Sequence, residues 1–271
     1  MRRVKNLELH VVHGCNLACE SCSHYSNQGH KGMVALEEAD RWMRLWNGRL
    51  APERFSLLGG EPTLHPELPA FVSLARRRWP NSALRLVTNG FFLHRHPELP
   101  QVLRDDPNAC LYVSIHHDAP QYQERLEPIL ALVEDWKSRH GVRVELYPSH
   151  RNWTRRYHGF GSAMEPFTDG DPRRSWENCP AKTCPQLLEG CIWKCGPLAY
   201  LPMQAAKYDL SGAWRPYLGY QPLAPDCTDE ALHAFFDREE ESHCGICAAE
   251  PQRFELPVPL ALDAARRAAG S

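Results

Sequence analysis

Cys15, Cys19 and Cys22 stand in the stretch Cys15-Asn16-Leu17-Ala18-Cys19-Glu20-Ser21-Cys22, which sets three thiols in eight residues with the spacing Cys-x3-Cys-x2-Cys. Three thiolates on one loop can hold three corners of an iron–sulfur cube and leave the fourth iron without a protein ligand. Such an iron is open to a further ligand and is therefore reactive. A zinc knuckle is the competing reading, because structural zinc takes a closed set of four N or S ligands. His13, His24 and His30 could each complete that set, so the loop alone leaves both metals open.

The neighbouring strands and turns favour iron. The Cys stretch comes after Leu7-Glu8-Leu9-His10-Val11-Val12, an alternating run that predicts a strand. The next predicted strand, Phe55-Ser56-Leu57-Leu58, ends in Gly59-Gly60-Glu61-Pro62. Glycines allow a close backbone approach, and an anionic side chain suits a cationic amine. Together the two motifs resemble the signature of the radical S-adenosylmethionine (radical SAM) superfamily. The resemblance implies that SAM chelates the open iron, and that Gly59, Gly60, Glu61 and Pro62 receive its ammonium. It further implies one-electron cleavage of SAM to a 5′-deoxyadenosyl radical, which abstracts hydrogen from a substrate. The cofactor then carries the chemistry while the protein orients it. The family usually has an aromatic residue before the third Cys, near adenine; here that residue is Ser21, and Tyr25 or His24 is expected to substitute.

The elements that must position these motifs alternate between strand and helix. Helices are predicted over 36–46, 66–79, 98–104 and 121–139, and further strands over 84–87, 110–115 and 142–147. Alternation of this kind implies parallel βαβ units, and five or six of them predict an α/β fold, a partial (β/α)6 TIM-like barrel, over residues 1–150. Chemistry in such barrels collects at the C-terminal ends of the strands. The Cys loop, the Gly-Gly-Glu-Pro turn, Asn89, Ser114, His116-His117 and Ser149-His150 all fall there. Asn89 and Ser114 match positions that in the family bond SAM's ribose or carboxylate; each reads equally well as a strand-end turn. One of His116 and His117 is expected to face inward, while His94 and His96 are expected on the surface.

Residues 151–178 are polar, aromatic and punctuated by Gly, without clear periodicity, and are expected to cover a substrate. Beyond them Cys179, Cys195, Cys244 and Cys247 resemble the auxiliary-cluster appendage of small radical SAM enzymes, the twitch form of the SPASM domain. That appendage, over 179–250, implies a β-hairpin from Pro185 to Cys195 turning at Glu189-Gly190. It also implies a helix capped by Thr228 or Asp229 and a second [4Fe–4S] cluster. A zinc ribbon built from the same thiols is the alternative. Cys184 rivals Cys179 as first ligand, Cys191 and Cys227 are surplus, and Cys110 is expected in the core. Residues 251–271 form a C-terminal tail, with an Ala/Arg-rich helix expected over its last part.

Composition bounds the remaining possibilities. The chain has 271 residues, 43% apolar and 24% charged, which is ordinary for a globular protein. Its net charge of −2 gives no reason to expect nucleic acid or an anionic membrane as partner. No apolar run approaches the ~20 residues that span a bilayer. The start Met1-Arg2-Arg3 lacks an apolar secretory core, so a cytoplasmic protein is expected. Eleven Cys in a reducing compartment point to metal ligation.

The resemblance implies two [4Fe–4S] clusters, SAM, and a reductant protein such as flavodoxin or ferredoxin. The expected substrate is a small polar molecule, sugar- or cyclitol-like, that is oxidised or epimerised. In oxidation the second cluster would accept the substrate's electron; in epimerisation a thiol such as Cys191 or Cys227 would return a hydrogen. A peptide maturase is the alternative within the family. A non-catalytic iron–sulfur or zinc protein is the alternative outside it, and such a protein would not turn over SAM.

Overall fold

A computed structural model describes residues 1–257; the Ala/Arg-rich stretch expected to be helical lies outside the described residues. The elements in chain order begin with β1 (Arg2–Val4), β2 (Leu7–His10), α1 (Leu36–Trp46), β3 (Leu50–Pro52) and β4 (Arg54–Leu58). They continue with α2 (Leu68–Arg78), β5 (Ala83–Thr88), α3 (Leu99–Arg104), β6 (Cys110–Ile115), α4 (Pro120–His140) and β7 (Val144–Pro148). The C-terminal region adds α5 (Pro172–Glu177), β8 (Gln186–Leu188), β9 (Cys191–Trp193), α6 (Gly196–Lys207), α7 (Arg215–Leu218) and α8 (Asp229–Asp237).

Seven strands form the main sheet in the order β7-β6-β5-β4-β2-β8-β9. Every pair is parallel except β8–β9. This is the expected α/β partial barrel, with an unexpected source for its sixth parallel strand. The first 150 residues supply five strands, and β8, from the predicted hairpin, pairs with β2 on the edge away from β7. The hairpin turns where expected, with Glu189 and Gly190 at φ 53° and 79°, the left-handed pair a tight hairpin requires. β1 and β3, not foreseen, form a separate two-stranded parallel sheet.

Alternation decides which way each strand faces. Leu7, Leu9, Phe55, Leu57, Leu84, Leu86, Leu111 and Val113 are buried in the core beneath the helices. Ala39, Trp42, Met43 and Trp46 of α1, spaced at one helical face, pack into the same core. The intervening residues, among them Glu8, His10, Ser56, Arg85 and Ser114, lie on the opposite, inner face of the sheet. A second core of Tyr25, Tyr157, Met164, Leu198, Tyr200, Leu201 and Trp214 joins the Cys loop, residues 157–164 and α6. The stretch expected to cover a substrate is therefore partly packed inside: Tyr157 and Met164 are fully buried.

His96 corrects the surface expectation. It is buried and bonds the Thr63 carbonyl at 2.9 Å, which satisfies a polar group the sequence left without a partner. Cys110 is half-buried at the start of β6.

Candidate functional site

The Cys loop leaves β2 and is pinned to the turn after β4. Gly60 N donates to Val12 O at 2.7 Å, and Glu61 N to Gly14 O at 2.9 Å. A Cβ on Gly60 would stand 2.2 Å from Gly14 O, and one on Gly59 2.8 Å from Val12 O. The two glycines are thus required by the packing of one motif against the other. This contact draws Cys15, Cys19 and Cys22 around a cavity of 190 Å³ that Gly59, Gly60, Glu61, Asn89 and Ser114 also line.

Glu61 is the knot of this site. Its carboxylate is 1% exposed and accepts four hydrogen bonds. They come from Thr63 N at 3.0 Å, Thr63 Oγ1 and Thr88 Oγ1 at 2.5 Å each, and Asn89 N at 2.7 Å. Burial raises its pKa, and these donors pull it back. Asn89 Nδ2 in turn donates to Asn16 Oδ1 at 2.7 Å, tying the end of β5 to the Cys loop.

The three thiols share a charge problem. Burial raises the pKa of each, and Cys15 and Cys22 raise Cys19 further. Ionising them together needs a local positive charge, which is what a cluster's irons provide. Among the described residues no three His, Cys, Asp or Glu side chains converge on a single-ion point. An iron–sulfur cube instead binds each thiolate to a different iron, and this all-thiol donor set around a cavity fits it.

The other predicted site residues separate. Tyr25 does not line the cavity: its ring stacks on Tyr157 and its hydroxyl donates to Pro197 O at 3.1 Å. His24, the other candidate to replace the missing aromatic, does line it. Pro62 begins a buried 3-10 turn behind Glu61. Of the His pair, His116 lines the cavity, with Nδ1 3.5 Å from Cys19 Sγ and a pKa lowered by burial and by His150 to about 4. His117 turns away to the Leu256 carbonyl. Cys191 and Cys227 line neither this cavity nor the one adjoining it. Cys191 sits beside the hairpin turn near Glu189 and Asp226, and Cys227 lies 3.4 Å from Arg49 Nη1.

The adjoining second cavity, of 270 Å³, shares Ser23, His24, Leu58 and Val87 with the first. Cys179, Cys195 and Cys247 line its far side. Cys195 is raised by burial and then by Cys247, Cys179 and Cys244, and Cys247 is pushed up to about 11 by burial first, with Cys179 and Cys244 adding to the rise. These thiols are neighbours. Cys184 is not among them, because the groups acting on it are Glu8, Arg85 and Asn6. Charge coupling thus links Cys179 with the other three, while Cys184 lines the same cavity beside Asn6 and Glu8. Glu8, Arg85 and Gln186 give this cavity a polar lining, with Gln186 Nε2 donating to Glu8 Oε2 at 2.6 Å.

Several residues here went unread in the sequence. Thr63 and Thr88 are ordinary strand-end residues until Glu61 lies between them. Glu8 was legible, because a charge in an otherwise apolar alternating strand marks a polar inner face. Trp153 lines the first cavity and donates to Glu20 O at 2.9 Å. Ser21, in place of the aromatic, accepts from Arg156 N at 2.5 Å and Tyr157 N at 3.1 Å. The Cys loop and residues 153–157 are thereby sewn together.

Residues 9–139 match the Radical SAM superfamily model. This chain contains a radical SAM domain. Curated proteins are similar to part of this chain. GTP 3′,8-cyclase of Aquifex aeolicus (strain VF5) is 26% identical over 129 residues, 46% of this chain and 39% of that one. GTP 3′,8-cyclase of Nautilia profundicola is 28% identical over 98 residues, 35% of this chain and 30% of that one. The chain thus spans well under half the length of these relatives. The fold extends beyond the radical SAM domain in the solved structure of BtrN in complex with AdoMet and 2-DOIA. That structure superposes with a TM-score of 0.55 at 17% identity, covering 93% of this chain and 98% of BtrN. No described helix is long and apolar enough to cross a membrane.

Proposed function

We propose that this chain is a radical SAM enzyme that removes a hydrogen atom from a small polar, sugar- or cyclitol-like substrate, leading to oxidation or epimerisation. Cys15, Cys19 and Cys22 hold one [4Fe–4S] cluster, and Cys179, Cys195, Cys244 and Cys247 hold a second, in an auxiliary unit over 179–250. The observation that carries the reading is the second cavity, which lies between two separate groups of thiols and is lined by charged and amide side chains. Its 270 Å³ is at the small end of ligand sites, which favours a compact substrate over a peptide.

When bound, SAM and the first cluster supply a carbon radical able to take a hydrogen atom from an unactivated carbon. The chain's own residues do the remainder. Glu61 and the Gly59-Gly60 backbone present oxygen acceptors to the SAM ammonium, and Asn89 and Ser114 line the same cavity. Glu8, Arg85 and Gln186 offer acceptors and donors to substrate hydroxyls. Trp153 lines the first cavity with its indole N–H fixed to Glu20 O. A thiol that returns hydrogen must reach the second cavity, and there Cys184 replaces Cys191 and Cys227 as the candidate. A small reductant protein such as flavodoxin or ferredoxin supplies the electron for each turnover.

Anaerobically reconstituted protein, given dithionite, is expected to convert SAM to 5′-deoxyadenosine and methionine. The Cys15→Ala, Cys19→Ala, Cys22→Ala triple variant is expected to make none. Continued 5′-deoxyadenosine formation by that variant would refute the assignment of the loop.

A further inference from the structure

Arg156 occupies a singular position. Its amide is held by Ser21 Oγ at 2.5 Å, next to Cys22 of the first thiol group. Its side chain lines the second cavity together with Cys179 and Cys247. The flanking chain is fixed on both sides. Arg155 pairs with the Glu20 carboxylate, and its amide donates to Gln252 O at 2.9 Å. The neighbouring Thr154 forms a β-bridge to Arg253. One short run of backbone thus spans from the first thiol site to the second.

Charge makes the placement meaningful. A cube held by four thiolates carries a net negative charge, and burying such a charge without a partner is costly. Two cations reach the second thiol group. Lys194 acts on Cys244, but it is already paired with Glu241 at 3.5 Å and bonded to Arg238 O at 2.7 Å. Arg156 has no carboxylate partner among the described residues. Its charge is free to act on whatever the thiols hold.

We propose that Arg156 is a positioning residue which, anchored by Ser21 beside the first site, balances the charge of the second cluster and raises its reduction potential. The inference rests on the proposal that Cys179, Cys195, Cys244 and Cys247 hold that cluster. A positive charge beside the cluster stabilises its more negative, reduced form, so the cluster accepts an electron more readily. Reduction potential follows net charge and hydrogen bonding at the sulfurs, so Arg156 sets the energy of electron acceptance without touching the reacting atoms.

The test uses the full chain carrying Cys15→Ala, Cys19→Ala and Cys22→Ala, so that only the second site binds iron. The midpoint potential is measured by a redox titration followed by electron paramagnetic resonance, with no substrate present. Arg156→Gln is expected to shift the potential to more negative values, and Arg156→Lys, which keeps the charge, to stay nearer the parent. Where Arg156→Gln loses its iron, the Ser21→Ala variant, which frees the anchor and keeps the guanidinium, is expected to show a smaller negative shift. An unshifted potential in an iron-loaded Arg156→Gln protein, or in Ser21→Ala where that variant stands in, overturns the role of Arg156 and leaves the second cluster standing. A parent that binds no iron overturns the second-cluster reading itself, and this inference with it.

Discussion

Asn89 Nδ2 reaches Asn16 Oδ1 at 2.7 Å while the same residue's amide donates to Glu61 Oε2 at 2.7 Å. One residue at the end of β5 therefore fastens both the Cys loop and the turn after β4. The three motifs that make the first cavity are braced by one another before any cofactor binds, which is how an enzyme holds a site to the tolerance that chemistry demands.

Glu61→Gln is expected to weaken folding as well as SAM binding. The amide swaps an acceptor for a donor among Thr63, Thr88 and Asn89, leaving a buried N–H facing donors. Loss of about 1–3 kcal/mol is expected for such a defect. Urea unfolding of the apo protein should show a lower midpoint than wild type, and calorimetry should show weaker SAM binding. Unchanged stability would mean that the four donors find partners elsewhere.

Counting iron separates Cys179 from Cys184. Cys184→Ala should retain the iron of wild type, because that thiol answers to Glu8, Arg85 and Asn6. The combined Cys179, Cys195, Cys244 and Cys247→Ala variant should lose about four irons per chain, the content of one cube. Iron loss on Cys184→Ala alone would reverse the grouping.

Acid should loosen the fold before it reaches the carboxylates. His10 and His65 are buried, and burial is the main cause that lowers each below 6.5, so both are held neutral. The unfolded chain therefore binds more protons than the native one below that pH. Their contribution is complete above about 6.5 and is lost as pH falls, at ~1.4 kcal/mol for each unit separating folded and unfolded pKa. Melting temperatures of the apo protein at pH 7.5 and 5.5 should differ, with the lower value at 5.5. A flat profile would count against neutral burial of these rings.

Motif and period carried most of this architecture. The strand ends that bear Cys15, Glu61, Asn89 and Ser114 are legible because alternating strands and amphipathic helices each leave a one-dimensional pattern. α6 left none: its apolar residues run on all sides, and Pro197 and Pro202 look like breakers, although the first sits at the helix start where Pro is tolerated. Ser21 and Arg156 are 135 residues apart and carry no periodic signal. Cys179 and Cys184 are both suitable in type and spacing, and only the packing of Cys184 against Asn6 and Glu8 separates them.

The pairing of β8 with β2 also has a consequence for how the molecule comes into being. Glu8 waits for Gln186, 178 residues later in synthesis, so one edge of β2 stays open while the rest of the sheet emerges. Contacts of such long sequence separation slow folding, and an unpaired edge invites association with other chains. The hairpin that closes this edge, Gln186–Trp193, leads directly into Cys195. Completion of the sheet therefore brings Cys195 into place while Cys244 and Cys247 are still to be made, and a nascent chain halted before it would expose an adhesive strand.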